Sequence, residues 1–247
     1  MKDLKDIINE KLIISKNTKF RTYHYHPEDK DELIELVEQI INKRGNKADL
    51  NDIDTSEITD MSSLFKYSEF NGDISKWNVS NVTNMNKIFW GSKFNGNISG
   101  WDVSNVTNMS EMFWGSKFNG NISGWDVINV KNMGGMFGDS KFNGDISNWD
   151  VSNVENMKSM FSYSKFTKDI SKWNVSNVKD MTSMFFKSQF NGDISEWDVS
   201  NVKNMQGMFN NSKFNGDISK WNVNKVKNTG AMFYNSPLEK NPPKWYK

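Results

Sequence analysis

Few side chains in this chain could do chemistry, so they can be weighed one set at a time. His24 and His26 flank Tyr25. Alternate residues of an extended segment point to one side, so the pair could hold a metal or stand as exposed polar residues. Asn-Gly-Asp recurs at 71–73, 143–145, 191–193 and 215–217. It suggests calcium, but calcium takes six or more oxygens in close array, and one acid per recurrence is sparse. Turn chemistry explains it better. Asp102, Asp126 and Asp150 recur at equal spacing. Stacked about 4.8 Å apart they could share a proton as acid–base dyads do. No nucleophile accompanies them, so no catalytic residue, no metal site and no cofactor is expected, and the chain reads as a non-enzyme.

Composition narrows the classes further. The 247 residues carry 31 basic and 30 acidic side chains, a formal charge of +1. That lacks the basic excess of a broad nucleic-acid binder. There is no Cys, which removes disulfides and thiolate chemistry. No apolar run reaches the length of a membrane span. The N-terminal MKDLKDIINEKLIISKNTKF has neither an uninterrupted apolar core nor a small-residue cleavage site, so the chain is expected to be made without a standard export signal. Against few prolines stand 10 Trp, 14 Met and 17 Phe, more aromatic material than a disordered chain holds.

The positions of those aromatics give the organisation. Trp77, Trp101, Trp125, Trp149, Trp173, Trp197, Trp221 and Trp245 are spaced by 24. The Phe column from Phe70 to Phe214 and the Ile column from Ile74 to Ile218 keep the same register. In one unit the apolar framework is Phe94, Ile98, Trp101, Val103, Val106, Met109, Met112 and Phe113. Leu50, Ile53, Ile58, Met61, Leu64 and Phe65 extend the register backwards, giving about eight units with no insertion, as a stacked array requires. Alternation at Trp101 and Val103 predicts a short strand. The stepping of Val106, Met109, Met112 and Phe113 predicts a short helix, capped by Thr107 or Asn108 and stopped by Gly115. Asn95-Gly96 reads as the turn between units. Lys168 replaces that Gly in one unit, so either the turn takes ordinary dihedrals or the unit is strained. Small polar columns through Ser68, Ser75 and Asn81 are expected to satisfy backbone groups at corners.

The strings FNGDISKWNVSNVTNMNKIF and FNGDISEWDVSNVKNMQGMF resemble the units of BspA-like leucine-rich-repeat surface proteins, including a subfamily known as a mycoplasma domain of unknown function. The resemblance runs from Tyr25 to the C-terminal MFYNSPLEKNPPKWYK. It implies an α/β repeat solenoid: a right-handed leucine-rich-repeat-like stack of 24-residue units with a parallel sheet on the concave face and short helices on the convex face. It also implies a non-enzymatic partner-binding protein, in adhesion or contact between cells. The absent export signal leaves both cell surface and cytoplasm open, and an intracellular structural, decoy or immunity-type binder is the alternative.

On this reading residues 1–49 form a helical capping segment, 50–236 the solenoid and 237–247 a C-terminal cap. Residues 29–43 should form an amphipathic helix through Leu33, Leu36, Val37, Ile40 and Ile41, punctuated by Pro27 and Gly45. Residues 3–14 are a second candidate helix. Pro237, Pro242 and Pro243 should end the pairing, with Trp245 closing the last Trp position. Variable positions carry identity. On the strand face these are Lys76, Gly100, Gly124, Asn148, Lys172, Glu196 and Lys220, beside Asp102, Asp126 and Asp150. At the helix end they are Tyr67, Trp90, Trp114, Gly138, Tyr163, Phe186, Asn210 and Tyr234. The candidate partner-binding residues are therefore Asp102, Asp126, Asp150, Lys76, Lys172, Glu196, Trp90 and Trp114. The expected partner is a protein or glycan, with no nucleic acid and no transmembrane segment, bound by a monomer.

Overall fold

The computed structural model describes residues 23–246; the candidate helix at 3–14 lies outside them. One α-helix is present among these residues, α1 (Lys30–Arg44), with a single 3-10 turn at Pro237–Glu239. Asp29 caps α1 by accepting the backbone N–H groups of Asp31 and Glu32. Gly45 ends it at φ +83°, where a side chain would be strained. Leu33, Val37 and Ile40 are buried against the first unit, as the amphipathic pattern predicts.

The expected sheet and short helices do not form. Among the described residues the units share only single-residue parallel bridges, a run through Asp60, Asn84, Asn108, Asn132, Asn156, Asp180, Asn204 and Asn228, with Asp49–Asp73 and Tyr25–Ile53 added at the N-terminal end. The α/β leucine-rich-repeat architecture is therefore wrong for this chain. Hydrogen bonding around Met109 gives the reason. The N–H groups of Met109, Glu111, Phe113 and Gly115 donate to Asn132, Gly134, Met136 and Gly138 of the next unit, at 2.7–2.9 Å. The N–H groups between them, of Met112, Trp114 and Ser116, close turns onto Met109, Glu111 and Phe113 three residues back. Half of the donors thus build turns and half build the stack. Glu111 and Gly115 reach this path only in the left-handed region, at φ +54° and +65°. A turn closed over three residues places side chains at the three- and four-residue steps that a helix would give, which is why the sequence reads as helical. The supposed strand is likewise two turns, Trp101 N–H to Ile98 carbonyl and Val106 N–H to Val103 carbonyl.

Corners are held by side chains. In the unit that opens at Asp73, the carboxylate of Asp73 accepts Ser75 N–H, Asn78 Oδ1 accepts Ser80 N–H and Asn84 Oδ1 accepts Asn86 N–H. The fourth corner closes at Ser92, whose Oγ accepts Phe94 N–H. The buried Ser column and the Asn81 column thus satisfy backbone groups as expected, with Asn81 Nδ2 donating across to Ser56 carbonyl and Asn105 Nδ2 to Ser80 carbonyl. Asn108, proposed with Thr107 as an alternative helix cap, forms one of these corners instead. Gly96 and its column are not left-handed, and neither is Lys168, so that turn takes ordinary dihedrals. A Cβ at Gly96 would lie 2.8 Å from the ring of Phe94, although the same column holds Lys168 in one unit.

Inside the corners the aromatics stack from unit to unit. A column from Phe65 to Phe233 has ring centroids 5.6–6.0 Å apart. A second column from Phe70 to Phe214 runs at 6.2–6.5 Å. Each Trp adds a polar tie. Trp101 Nε1 donates to Ile74 carbonyl at 3.1 Å, and the equivalent bond recurs from Trp77 to Trp245. The indole fills the core and still carries a donor for the previous unit's bent carbonyl. Trp245, though only partly buried, makes this bond to Ile218, as a closing residue at that position should.

Candidate functional site

With the framework inside, the columns that reach solvent can be compared. Asp102, Asp126 and Asp150 are exposed and lie in register. Each carboxylate is occupied by its own corner: Asp102 accepts Ser104 N–H and Oγ–H at 3.1 and 2.6 Å, Asp126 accepts Ile128 N–H, and Asp150 accepts Ser152 N–H. The Ser104 and Ser152 hydroxyl and backbone donors hold Asp102 and Asp150 below the ordinary carboxylate range. A dyad sharing a proton needs the opposite shift in one member. Lys76, Lys172 and Glu196 are also exposed, in the column that includes Gly100 and Gly124. Glu196 faces Lys220 at 3.8 Å, and the Lys76 backbone N–H donates to Asn51 Oδ1.

The Asn-Gly-Asp acids, with Asp169 after Thr167-Lys168, form another corner column. Asp145, Asp169, Asp193 and Asp217 each accept the backbone N–H of the Ser two residues on. Donors from Ser195 keep Asp193 low, although Asp169 and Asp217 push it up. His24 and His26 are drawn to separate acids, with Nδ1 3.5 Å from Asp52 and 3.4 Å from Asp54. No cluster of three or more metal-ligating side chains occurs among the described residues.

The aromatics outside the core are gathered elsewhere, on the ribbon of turns. Tyr67, Tyr163 and Tyr234 are 64, 47 and 60% exposed, the large apolar side chains most open to solvent. Trp90, Trp114 and Phe186 are half-buried beside them. The register corrects one grouping: Tyr67 and Tyr163 stand one position beyond the column of Trp90, Trp114 and Phe186, at left-handed residues. Tyr67 lies 4.8 Å from the Trp90 ring, with Lys66 Nζ 4.6 Å over Trp90. Tyr163 meets Phe186 edge-on at 5.1 Å, with Lys187 over both. Trp114 rests on the next unit, where a Cβ at Gly138 would come within 2.2 Å of the indole and one at Gly135 within 3.0 Å. Glycine under tryptophan is a fit between neighbours that neither column shows alone.

A lysine column was missed in the sequence. Lys93, Lys117, Lys141, Lys165 and Lys213 are exposed and in register, each three residues past the Trp90 column. Lys93 and Lys117 N–H donate to the Ser68 and Ser92 carbonyls of the preceding unit, which fixes that register. The signal was legible as Ser-Lys-Phe repeated at 24, but it adjoins framework Phe and reads as filler.

Fold and surface together define a repeat protein whose units are closed by turns and joined by a hydrogen-bond ladder. The family described as "Mycoplasma protein of unknown function, DUF285" matches residues 34–141, 91–189 and 138–245, and the chain belongs to it. No curated protein and no solved structure matches the chain. No helix among the described residues is long and apolar enough to cross a membrane.

Proposed function

We propose that this chain is a non-enzymatic binding module whose recognition surface is the aromatic and lysine edge of the turn ribbon. One observation carries the reading: in a fold that buries nearly every aromatic ring, Tyr67, Tyr163 and Tyr234 are left in solvent on one edge, with Lys66 over Tyr67 and Lys187 over Tyr163. Exposed aromatics grouped on one edge are the composition of interface centres. The acidic column of Asp102, Asp126 and Asp150 is the weaker candidate, because its carboxylates already serve their own corners. The resemblance of the units to those of BspA-like surface proteins supports a partner met at a cell surface.

The test is a combined glycan and protein array probed with the full chain and two variants. Tyr67→Ser with Tyr163→Ser and Tyr234→Ser should abolish the strongest signals without lowering Tm. Asp102→Lys with Asp126→Lys should leave them in place. Binding that survives the tyrosine variant and vanishes in the aspartate variant would move the surface to the acidic column.

A further inference from the structure

One column repeats a short reactive sequence along the stack and changes only at its end. Asn-Gly follows a buried Phe at 71–72, 95–96, 119–120, 143–144, 191–192 and 215–216. The string Phe-Asn-Gly-Asp-Ile-Ser is identical at 70–75, 142–147, 190–195 and 214–219. All but the last of these Asn side chains are tied to the following unit. Asn71 Oδ1 accepts Asn95 N–H, Asn95 Oδ1 accepts Asn119 N–H and Asn119 Oδ1 accepts Asn143 N–H. Asn143 Oδ1 accepts Thr167 N–H, and Asn191 Oδ1 accepts Asn215 N–H. Asn215 has no further unit beyond it. Neither its carboxamide nor the Gly216 N–H has a hydrogen bond among the described residues. Exposure does not make this distinction, because Asn95, Asn119 and Asn191 are exposed as well. A cavity of about 370 Å³ lies between Asn215, Gly216 and Asp217 of the corner and Leu238, Pro242 and Lys244 of the tail. It has room for several waters.

We propose that Asn215 is a site of spontaneous covalent modification, deamidation through a succinimide, and that the stack protects the other Asn-Gly pairs from it. The reaction goes beyond the binding-module reading and does not depend on it. The Gly216 backbone nitrogen forms a bond to Asn215 Cγ. The side-chain nitrogen leaves as ammonia and takes, through water, the proton that Gly216 N–H gives up. Glycine carries no Cβ to crowd the attacking nitrogen. Water then opens the five-membered ring. Breaking the bond to Cγ gives Asp at 215, and breaking the bond to the backbone carbonyl carbon gives an isoaspartyl linkage. Overall a water enters and an ammonia leaves, with no cofactor. Ring closure requires Cγ to swing over the following nitrogen. In the tied units that swing breaks a bond to the next unit's backbone; at Asn215 it breaks none. A net hydrogen bond corresponds to a rate factor of up to about tenfold. The isoaspartyl product adds a carbon to the backbone beside Gly216, where even a Cβ would lie 2.8 Å from the buried Phe214 ring, so the last unit must shift to hold it.

The experiment ages the full chain in mildly alkaline buffer, folded and in concentrated urea, and follows each site by mass spectrometry. Trypsin places every Asn-Gly in a separate peptide, so the amide-to-acid mass gain is assigned to its residue. In the folded chain Asn215 should convert about tenfold faster than Asn191, which shares its flanking sequence and its exposure. In urea the sites should convert at similar rates. Asn215→Gln should remove the fast phase of ammonia release from the folded chain. Equal rates at Asn215 and Asn191 in the folded chain, or a fast ammonia phase that persists in Asn215→Gln, would overturn the proposal. A lead for Asn215 in urea as large as in the folded chain would also overturn it, by assigning the rate to local sequence. Faster conversion at the tied residues would show that the ties activate the carboxamide where the proposal has them hold it.

Discussion

The two ends of the stack are closed by different means. At the N-terminal end α1 lays Leu33, Val37 and Ile40 over the core of the first unit, and Lys30 reaches Asp60 and Ser62. The chain before α1 joins the ladder as well, with His24 N–H donating to Asp52 carbonyl and Asp54 N–H to Tyr25 carbonyl. At the other end Trp245 stacks on Trp221 and Tyr246 meets Phe233 edge-on, but the cover is partial. Val223 and Val226 are half-exposed where their upstream counterparts are buried. The N–H groups of Thr229, Ala231 and Phe233 find no acceptor among the described residues, while those of Met205, Gly207 and Phe209 donate to the next unit. A unit in such a stack draws its stability from two neighbours, and the last unit here has one neighbour and a thin cap.

The largest expected effect tests that difference within one column. Phe137→Ala removes a ring stacked between Phe113 and Phe161 and should cost about 3–5 kcal/mol. Phe233→Ala removes the same residue type with Phe209 on one side only, beside the partly buried Trp245 and Tyr246. It should cost visibly less. Urea unfolding of both variants measures the gap, and equal losses would show that the tail closes the stack as completely as a full unit.

Val37→Asp comes next and attacks the better-closed end. It places a carboxylate without a partner at the dry interface under α1, at a cost of about 3 kcal/mol or more. Hydrogen exchange should then show Met61, Ser63 and Phe65 amides losing protection before those of the interior. Unchanged protection would mean that the ladder holds the first unit without its helix.

These ends bear on what could be read from residues alone. The period, the buried framework, α1 and the closing role of Trp245 were legible because apolar spacing reports burial directly. The path of the backbone was not. A turn ribbon and a short helix impose the same three- and four-residue steps, and the left-handed positions that distinguish them are marked only in some units, as at Gly91, Gly115, Asn211 and Asn235. Ser63, Glu111 and Ser159 occupy the left-handed region without being Gly or Asn. Neighbouring backbones over-determine that choice. Of the surface, Trp90 and Trp114 stood out as aromatics outside the framework. Lys93 and Lys117 did not, because a lysine beside a buried phenylalanine is unremarkable until the stack aligns it with others.

A smaller effect separates the polar ties. Trp149→Phe leaves Ile122 carbonyl without its donor in a buried site and should cost about 1–3 kcal/mol. Trp245→Phe removes the same bond where water can replace it, and should cost under about 1 kcal/mol. Thermal unfolding of the pair checks the ratio; a Trp245 loss as large as that of Trp149 would place the C-terminal cap in the core.

The smallest expected effect concerns Asp60, where the first unit meets α1. Burial raises its pKa, but the Ser62 backbone and hydroxyl donors and the Lys30 ammonium more than offset this and leave it below the ordinary carboxylate range. A depressed folded-state pKa adds stability that is present above the unfolded value and is lost as pH falls through the folded one. Acid should therefore loosen the N-terminal end as Asp60 takes up its proton below the usual carboxylate range. Asp60→Asn isolates the charge, because Asn84 and Asn108 already accept the equivalent N–H in later units. The variant should keep the corner, lose only the part-exposed pair with Lys30, and cost less than about 1 kcal/mol at neutral pH. Its first-unit amides should also respond less to acid than those of the parent chain. An identical acid response in both would assign the pH dependence to the corner acids present along the whole stack, such as Asp73 and Asp217, and would remove the ion pair from the reasons that the N-terminal end is the better closed.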